Sequence, residues 1–235
     1  MASRELPVPR QRRSSRLVLT AAVALLGSAC GTNRPDIPAY LLEDDAGTTA
    51  GYPSGPYAKS ISDALPIADI SFQKGWLNPK AEGYDPAKLV PIKLSDFYDP
   101  DGTKGHEILL FNTAAGWCGA CKNEHEGTGS NPSLGEHAAA LAPRGFVVLS
   151  ALFEDGSFNP AQEKHLVSWA KTYETDFPFV LDPENQLGGT FGVDQTAPLN
   201  LVVDAKTMKV LFGTTGDKGA VIWPFVEGEL EKRGK

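Results

Sequence analysis

Cys30, Cys118 and Cys121 are the residues best suited to covalent chemistry in this 235-residue chain. Two of them lie in the run Trp117-Cys118-Gly119-Ala120-Cys121, after a short apolar segment and before a stretch of helical character. Two intervening residues let the second sulfur reach the first across one helical turn. At a helix N-terminus the unpaired N–H groups and the positive end of the dipole favour thiolate over thiol, lowering the first cysteine's pKa. Such a thiolate can attack a disulfide, and the second thiol can resolve the mixed disulfide that forms. Trp117 adds an apolar shoulder on which a polypeptide could dock.

The same cysteines admit other chemistries. A structural bridge over so short a loop removes little unfolded-state entropy. A zinc site needs four ligands, and the nearest extra candidate is His125, without a second cysteine pair. A c-type haem attachment needs His directly after the second cysteine, where Lys122 stands. Peroxidatic chemistry of the peroxiredoxin kind wants Thr or Ser three residues before the cysteine, where Ala115 stands. The alternative from the binding class is a soft Cu(I) site made by Cys118, Cys121 and His125. A tethered binding protein with a vestigial CxxC is the third reading. His106, His137 and His165 read as surface or loop histidines.

The elements that must position the pair are legible as periodicity. Residues 68–73 and 89–97 are strand-like, with turns at Asn78-Pro79 and from Asp99 to Gly102. Residues 108–111 (ILLF), 145–153 (GFVVLSALF) and 179–181 are short apolar runs suited to buried strands. Residues 160–174 have helical spacing, with Asn159 as N-cap and Pro160 as the first helical residue. The helix opened by the CxxC is interrupted by EGTGSNPS (Glu126 to Ser133) and resumes over 133–141. Residues 199–203 and 210–212 flank the turn 204–207 as a hairpin, and a last helix is expected from about Pro224. Strands alternating with helices, closed by a hairpin and helix, predict an α/β domain with a mixed sheet.

On these residues a resemblance becomes specific. LLFNTAAGWCGACKNE resembles the active-site segment of the thioredoxin superfamily, most closely its extracytoplasmic TlpA/ResA branch, in the wider group of redoxin and AhpC/TSA-like proteins. The likeness runs from about Leu94 to the C-terminus, with Phe191-Gly192-Val193, Ala197-Pro198 and Asp204 as later markers. It implies a thioredoxin-like fold with an N-terminal strand extension and thiol–disulfide oxidoreductase activity, more as reductant than oxidant. It implies Cys118 as attacking thiolate and Cys121 as resolving thiol. A substrate groove would comprise Trp117, Gly119, Ala120, Ala197 and a cis Pro198. Asn112 takes the place of a buried aspartate, and Glu124 matches a glutamate that manages protons near the buried sulfur. No cofactor beyond the Cys118–Cys121 disulfide and no metal is implied. Ala120 departs from the usual proline at a position that tunes redox potential, which leaves the direction of reaction open.

The first thirty residues read as an export address. Five arginines up to Arg16 precede an apolar stretch from Leu17 to Gly27, and Ser28-Ala29 precede Cys30. LLGSAC resembles a bacterial lipobox, which makes Cys30 the lipidated N-terminus of the mature protein. This divides the chain into a signal peptide (1–29), a Gly/Pro-rich tether and lead-in (30–66) and a redox domain (67–235). Tyr40, Tyr52 and Tyr57 are expected to dock on the domain. The net charge of −7 becomes −11 without residues 1–29, which excludes nucleic acid as a partner and gives no electrostatic attraction to an anionic membrane. The expected setting is the bacterial cell envelope, anchored by lipid and facing the periplasm or outer surface. The expected partners are protein thiols and disulfides outside the cytoplasm, with a membrane thiol carrier as electron donor. Cytochrome c maturation is one role the resemblance implies.

Overall fold

The computed structural model describes residues 51–129 and 131–235. The export segment, Cys30 and Tyr40 lie outside the described residues. Seven strands form one mixed sheet in the order β2-β1-β5-β4-β3-β6-β7. They are β1 Ser71–Trp76, β2 Val90–Lys93, β3 Ile108–Ala115, β4 Phe146–Glu154, β5 Phe179–Leu181, β6 Leu199–Asp204 and β7 Val210–Thr215. β3, β4 and β5 run parallel, and β6 and β7 close the far side antiparallel. β1 and β2 extend the near side antiparallel, as an N-terminal addition to the sheet.

All eight residues of β3 are buried, as expected for a central strand covered on both faces. Side chains alternate between faces along a strand. Leu109 and Phe111 share one core with Leu149, Leu201, Leu187 and Phe191. On the opposite face Ile108 and Leu110 meet Phe146, Val148, Val202 and Ile222, while Ala114 meets Leu152, Trp169 and the two cysteines. Between these last two apolar clusters, on the same face, lie Asn112, Ser150 and Asn200. They are direct register partners on β3, β4 and β6. A polar row therefore crosses the middle of the central sheet.

The helices are α1 Gly119–Glu126, α2 Leu134–Leu141, α3 Glu163–Thr172, α4 Gln186–Thr190 and α5 Gly219–Lys232. The break after the first helix and the restart at α2 follow the sequence expectation. Ser133 caps α2 in a reciprocal box with Glu136.

Three local expectations are corrected. α3 starts at Glu163 with Gln162 as N-cap, because Pro160 bridges Glu154 and Ala161 N–H donates to Phe153, so this stretch still pairs with β4. Gln162 N–H donates to His165 Nδ1 (3.1 Å), so His165 serves the start of that helix. α5 starts at Gly219 with Pro224 inside it. A proline there costs about 3 kcal/mol. Burial of Ile222, Val226 and Leu230 returns about 1.5–3 kcal/mol each, so packing wins. His106 is buried and stacked on Phe97, with Nδ1 3.1 Å from the Phe97 carbonyl. His137 stacks on Trp223.

The irregular lead-in is packed on the domain ahead of residue 67. Tyr52 donates to the Ile67 carbonyl (3.0 Å) and meets Tyr98 edge-on, and Ala58 is buried. Tyr57 bonds locally to the Pro53 carbonyl. Ile61 lies so close to Gly213 that a Cβ there would come within 2.6 Å of it.

Candidate active site

β3 delivers the site. Its last residue is Ala115, and the chain then turns through Gly116 and Trp117 into α1. Gly116 N–H donates to the Glu154 carbonyl (2.8 Å), and a Cβ on Gly116 would lie 2.6 Å from the Gly156 nitrogen. Only glycine lets this turn press against the backbone that follows β4.

Cys118 is the N-cap of α1, and its Sγ accepts the N–H of Cys121 at 3.0 Å. The two cysteines form a disulfide with Cα atoms 5.3 Å apart. Both cysteines are buried, Cys118 at 3% exposure and Cys121 at 0%, so what little of the pair reaches solvent belongs to Cys118. Trp117, Ala120 and Ala197 pack in the same apolar cluster as the pair. Gly119 is exposed, with open space where a side chain would stand. The Ala197–Pro198 peptide is cis. Its strand is held by Leu199 N–H donating to Thr113 Oγ1 and Gly216 N–H donating to the Pro198 carbonyl, both at 2.8 Å.

The sequence reading missed two neighbours. Trp117 Nε1–H donates to Glu154 Oε2 (2.6 Å), and the Trp117 ring stacks on Phe158 at 5.1 Å. Phe158 is 67% exposed and has φ 62°, in a turn where Asp155 Oδ1 accepts the N–H groups of Ser157 and Asn159. A phenylalanine inside the turn-forming run DGSFNP was the available signal. Beside this turn a cleft of about 200 Å³ opens between Gly116, Lys122, Glu154, His165, Trp169 and Tyr173.

Glu124 lies one turn beyond Cys121, the spacing of facing neighbours on a helix. Its Oε2 accepts from Asn112 Nδ2 (3.0 Å) and its Oε1 from Asn200 Nδ2 (2.9 Å). Burial pushes its pKa up to about 8, with Asp217 adding to the rise and the two amides opposing it. That places its pKa close to neutral pH, the range in which a carboxyl can both take up and release a proton.

His125 is fully buried among Trp169, Tyr173, Phe177 and Phe179. Burial lowers its pKa to about 3, so the ring is neutral. Trp169 Nε1–H donates to Nδ1 (3.2 Å), and Nε2 lies 3.4 Å from Ser150 Oγ. The Cu(I) reading needed a free His125 nitrogen turned to the sulfurs, and both nitrogens are engaged elsewhere. Among the described residues no group of three or more His, Cys, Asp or Glu side chains is arranged to hold a metal ion. No helix among them is long and apolar enough to cross a membrane.

No family model and no curated protein matches the chain. Solved structures do. A protein assigned as the thiol:disulfide interchange protein DsbE from Chlorobium tepidum aligns at TM-score 0.53 and 17% identity, covering 73% of this chain and 99% of that one. A DsbF homologue from Corynebacterium diphtheriae aligns at 0.51 and 15%, covering 77% and 99%. A secreted thiol-disulfide isomerase from Corynebacterium glutamicum aligns at 0.51 and 16%, covering 70% and 84%. At such identities the likeness concerns the backbone, and with the sheet order and helix placement above it establishes a thioredoxin-like fold for this chain.

Proposed function

We infer that this protein is a thiol–disulfide oxidoreductase acting through Cys118 and Cys121 on disulfides of exported proteins. The observation that carries the reading is the Cys118–Cys121 pair itself, with Cys118 capping α1 as the less covered of the two and Cys121 fully buried in the first turn. In the reduced protein the Cys118 thiolate attacks one sulfur of a substrate disulfide. The substrate S–S bond breaks, a mixed disulfide to Cys118 forms, and the other substrate sulfur leaves as thiolate. Cys121 loses its proton to Glu124 and attacks Cys118 Sγ. The Cys118–Cys121 bond then forms and the second substrate sulfur leaves, so two electrons have passed to the substrate. Trp117, Gly119, Ala120, Ala197 and Pro198 form the groove along which the substrate chain lies.

The reductive direction follows the resemblance to the TlpA/ResA branch. Re-reduction then requires a dithiol donor, and an exported protein needs one in or on the membrane. Lipidation at Cys30 would keep the domain beside such a donor at the cell envelope. Cytochrome c maturation is one pathway in which a reductant of this kind is used.

The test is reduction of the disulfides of a model polypeptide such as insulin, with dithiothreitol as electron source. Wild type accelerates the reaction, and Cys118→Ser falls to the uncatalysed rate; equal rates for the two would overturn the proposal. A reduction potential nearer about −270 mV than about −120 mV supports the reductive direction, and the reverse contradicts it.

A further inference from the structure

The polar row beneath α1 is more than a set of satisfied groups, because the direction of every hydrogen bond in it is determined. An indole N–H can only donate. Trp169 Nε1–H therefore makes His125 Nδ1 the acceptor (3.2 Å), and the neutral ring must carry its hydrogen on Nε2. Nε2–H then points at Ser150 Oγ (3.4 Å), which leaves the Ser150 hydroxyl to donate to Asn112 Oδ1 (2.7 Å). With its oxygen so occupied, Asn112 turns both hydrogens of Nδ2 the other way, to Glu124 Oε2 (3.0 Å) and Asn200 Oδ1 (2.8 Å). Asn200 Nδ2 in turn donates to Glu124 Oε1 (2.9 Å). The chain starts on a pure donor and ends on a carboxylate.

We propose that Trp169, His125, Ser150 and Asn112 form a one-way hydrogen-bond chain that positions Glu124 with both oxygens facing amide hydrogens, and so sets its proton affinity for exchange with Cys121. Trp169, His125 and Ser150 are positioning residues that act through Asn112. The proposal rests on Glu124 being the proton acceptor of the exchange reaction.

The strand register explains why the chain exists. Ser150, Asn112 and Asn200 sit side by side on β4, β3 and β6, and α1 lays His125 over the first and Glu124 over the other two. All three strand residues are buried, so each amide and hydroxyl must find its partner inside the row. Losing the donor at the His125 end frees the Ser150 hydroxyl to turn to His125. Asn112 Oδ1 then has no donor, and its amide can rotate to put oxygen against Glu124. A carboxylate facing an amide oxygen is destabilised, and a protonated carboxyl is favoured. The other charged group acting on Glu124 is Asp217, in the turn before α5, which no step in this chain alters.

Two readouts separate the chain from the relay. The first is the side-chain carboxyl ¹³C titration of Glu124 in the oxidised protein, where neither Cys118 nor Cys121 titrates. Ser150→Ala, which removes only a hydroxyl, and Trp169→Phe, which keeps an aromatic ring, are each expected to raise the Glu124 midpoint. The expected rise is about one pH unit, a tenfold change in proton affinity. Ser150→Thr, which restores the hydroxyl, should return the midpoint towards wild type. The second readout is the pH profile of exchange by the reduced protein, in which Glu124→Gln should abolish the limb due to Glu124. An unmoved ¹³C midpoint in whichever of the first two variants folds overturns the chain, with the relay intact if Glu124→Gln alters the profile. A profile unchanged by Glu124→Gln overturns the relay and the proposal built on it.

Discussion

The two ends of β3 each carry a carboxylate, and they are treated in opposite ways. Just before the strand, Glu107 is held by Lys206 (3.1 Å), Lys235 (3.2 Å) and Arg233 (3.8 Å), with Arg233 also on Asp204 at 2.6 Å. Beyond its other end Glu124 meets two neutral amides and no cation among its hydrogen-bond partners. Burial raises the pKa of both, but at Glu107 the ammonium groups of Lys206 and Lys235 outweigh it and hold the carboxyl below its usual range. At Glu124 the amides do not outweigh burial, and the pKa stands at about 8. A carboxylate ringed by cations is a fixed charge that ties the C-terminus to the sheet. One ringed by amides can gain and lose a proton near neutrality, one helical turn beyond Cys121.

The largest way to break this contrast is through stability as a function of pH. Folded Glu124 keeps its proton where the unfolded chain, at the ordinary 4.5, has lost it. Its contribution is therefore intact below about pH 4.5 and is lost as pH rises towards about 8, with a slope near 1.4 kcal/mol per pH unit. Folded Glu107 and Asp204 are shifted down, so their contribution is present at neutral pH and lost as pH falls through their folded values. His125, held neutral to about 3 against an ordinary 6.5, loses stability in the same acid direction. Denaturant unfolding from pH 3 to 9 should show a dome, and Glu124→Gln should flatten its alkaline limb while sparing the acid limb. An unchanged alkaline limb would break the comparison.

The next effect is at the other end. Glu107→Gln should lower stability at pH 7 by about 1–3 kcal/mol, because three cations lose a partner buried beneath them. Exchange activity should stay at the wild-type level, measured by the insulin assay at a temperature where the variant is folded. Loss of activity in proportion to stability would show that the two ends are not separable.

The smallest effect sharpens the active-site end. Phe158→Ala removes the exposed ring stacked on Trp117, and a pair of this kind is worth about 0.5–1.5 kcal/mol. The second-order rate with a polypeptide disulfide should fall about 2–10-fold while that with a small disulfide such as oxidised glutathione stays constant. Equal losses on both substrates would assign Phe158 to holding the Cys118 turn instead of the substrate.

Much of the fold was legible because its signals are local. The runs at 108–111, 145–153 and 179–181 became β3, β4 and β5, and the interruption after Glu126 and the restart at α2 appeared where expected. Cys118, Cys121, Trp117 and Ala120 came from the motif and Ala197 from the resemblance, and the structure brings them into one cluster. What escaped depends on distant partners. Asn112 joins Ser150 and Asn200 across 38 and 88 positions of chain, and no local pattern encodes that register. Phe158 meets Trp117 only because the turn after β4 folds back over Gly116. Pro224 marked the start of the last helix on paper, yet the buried face of α5 begins before it, at Ile222, and runs through it. His106 looked like a loop residue because its loop is charged, while the Phe97 ring and carbonyl that cover it come from a segment nine residues earlier.

The central claim is that Cys118 attacks and Cys121 resolves. It is tested most directly by reacting reduced Cys121→Ser with a disulfide-bonded peptide and following the products by non-reducing mass spectrometry. The account predicts a persistent one-to-one adduct through Cys118, which reduced wild type resolves to the Cys118–Cys121 disulfide and free peptide thiols. No adduct with Cys121→Ser, or an equal adduct with Cys118→Ser, would contradict it.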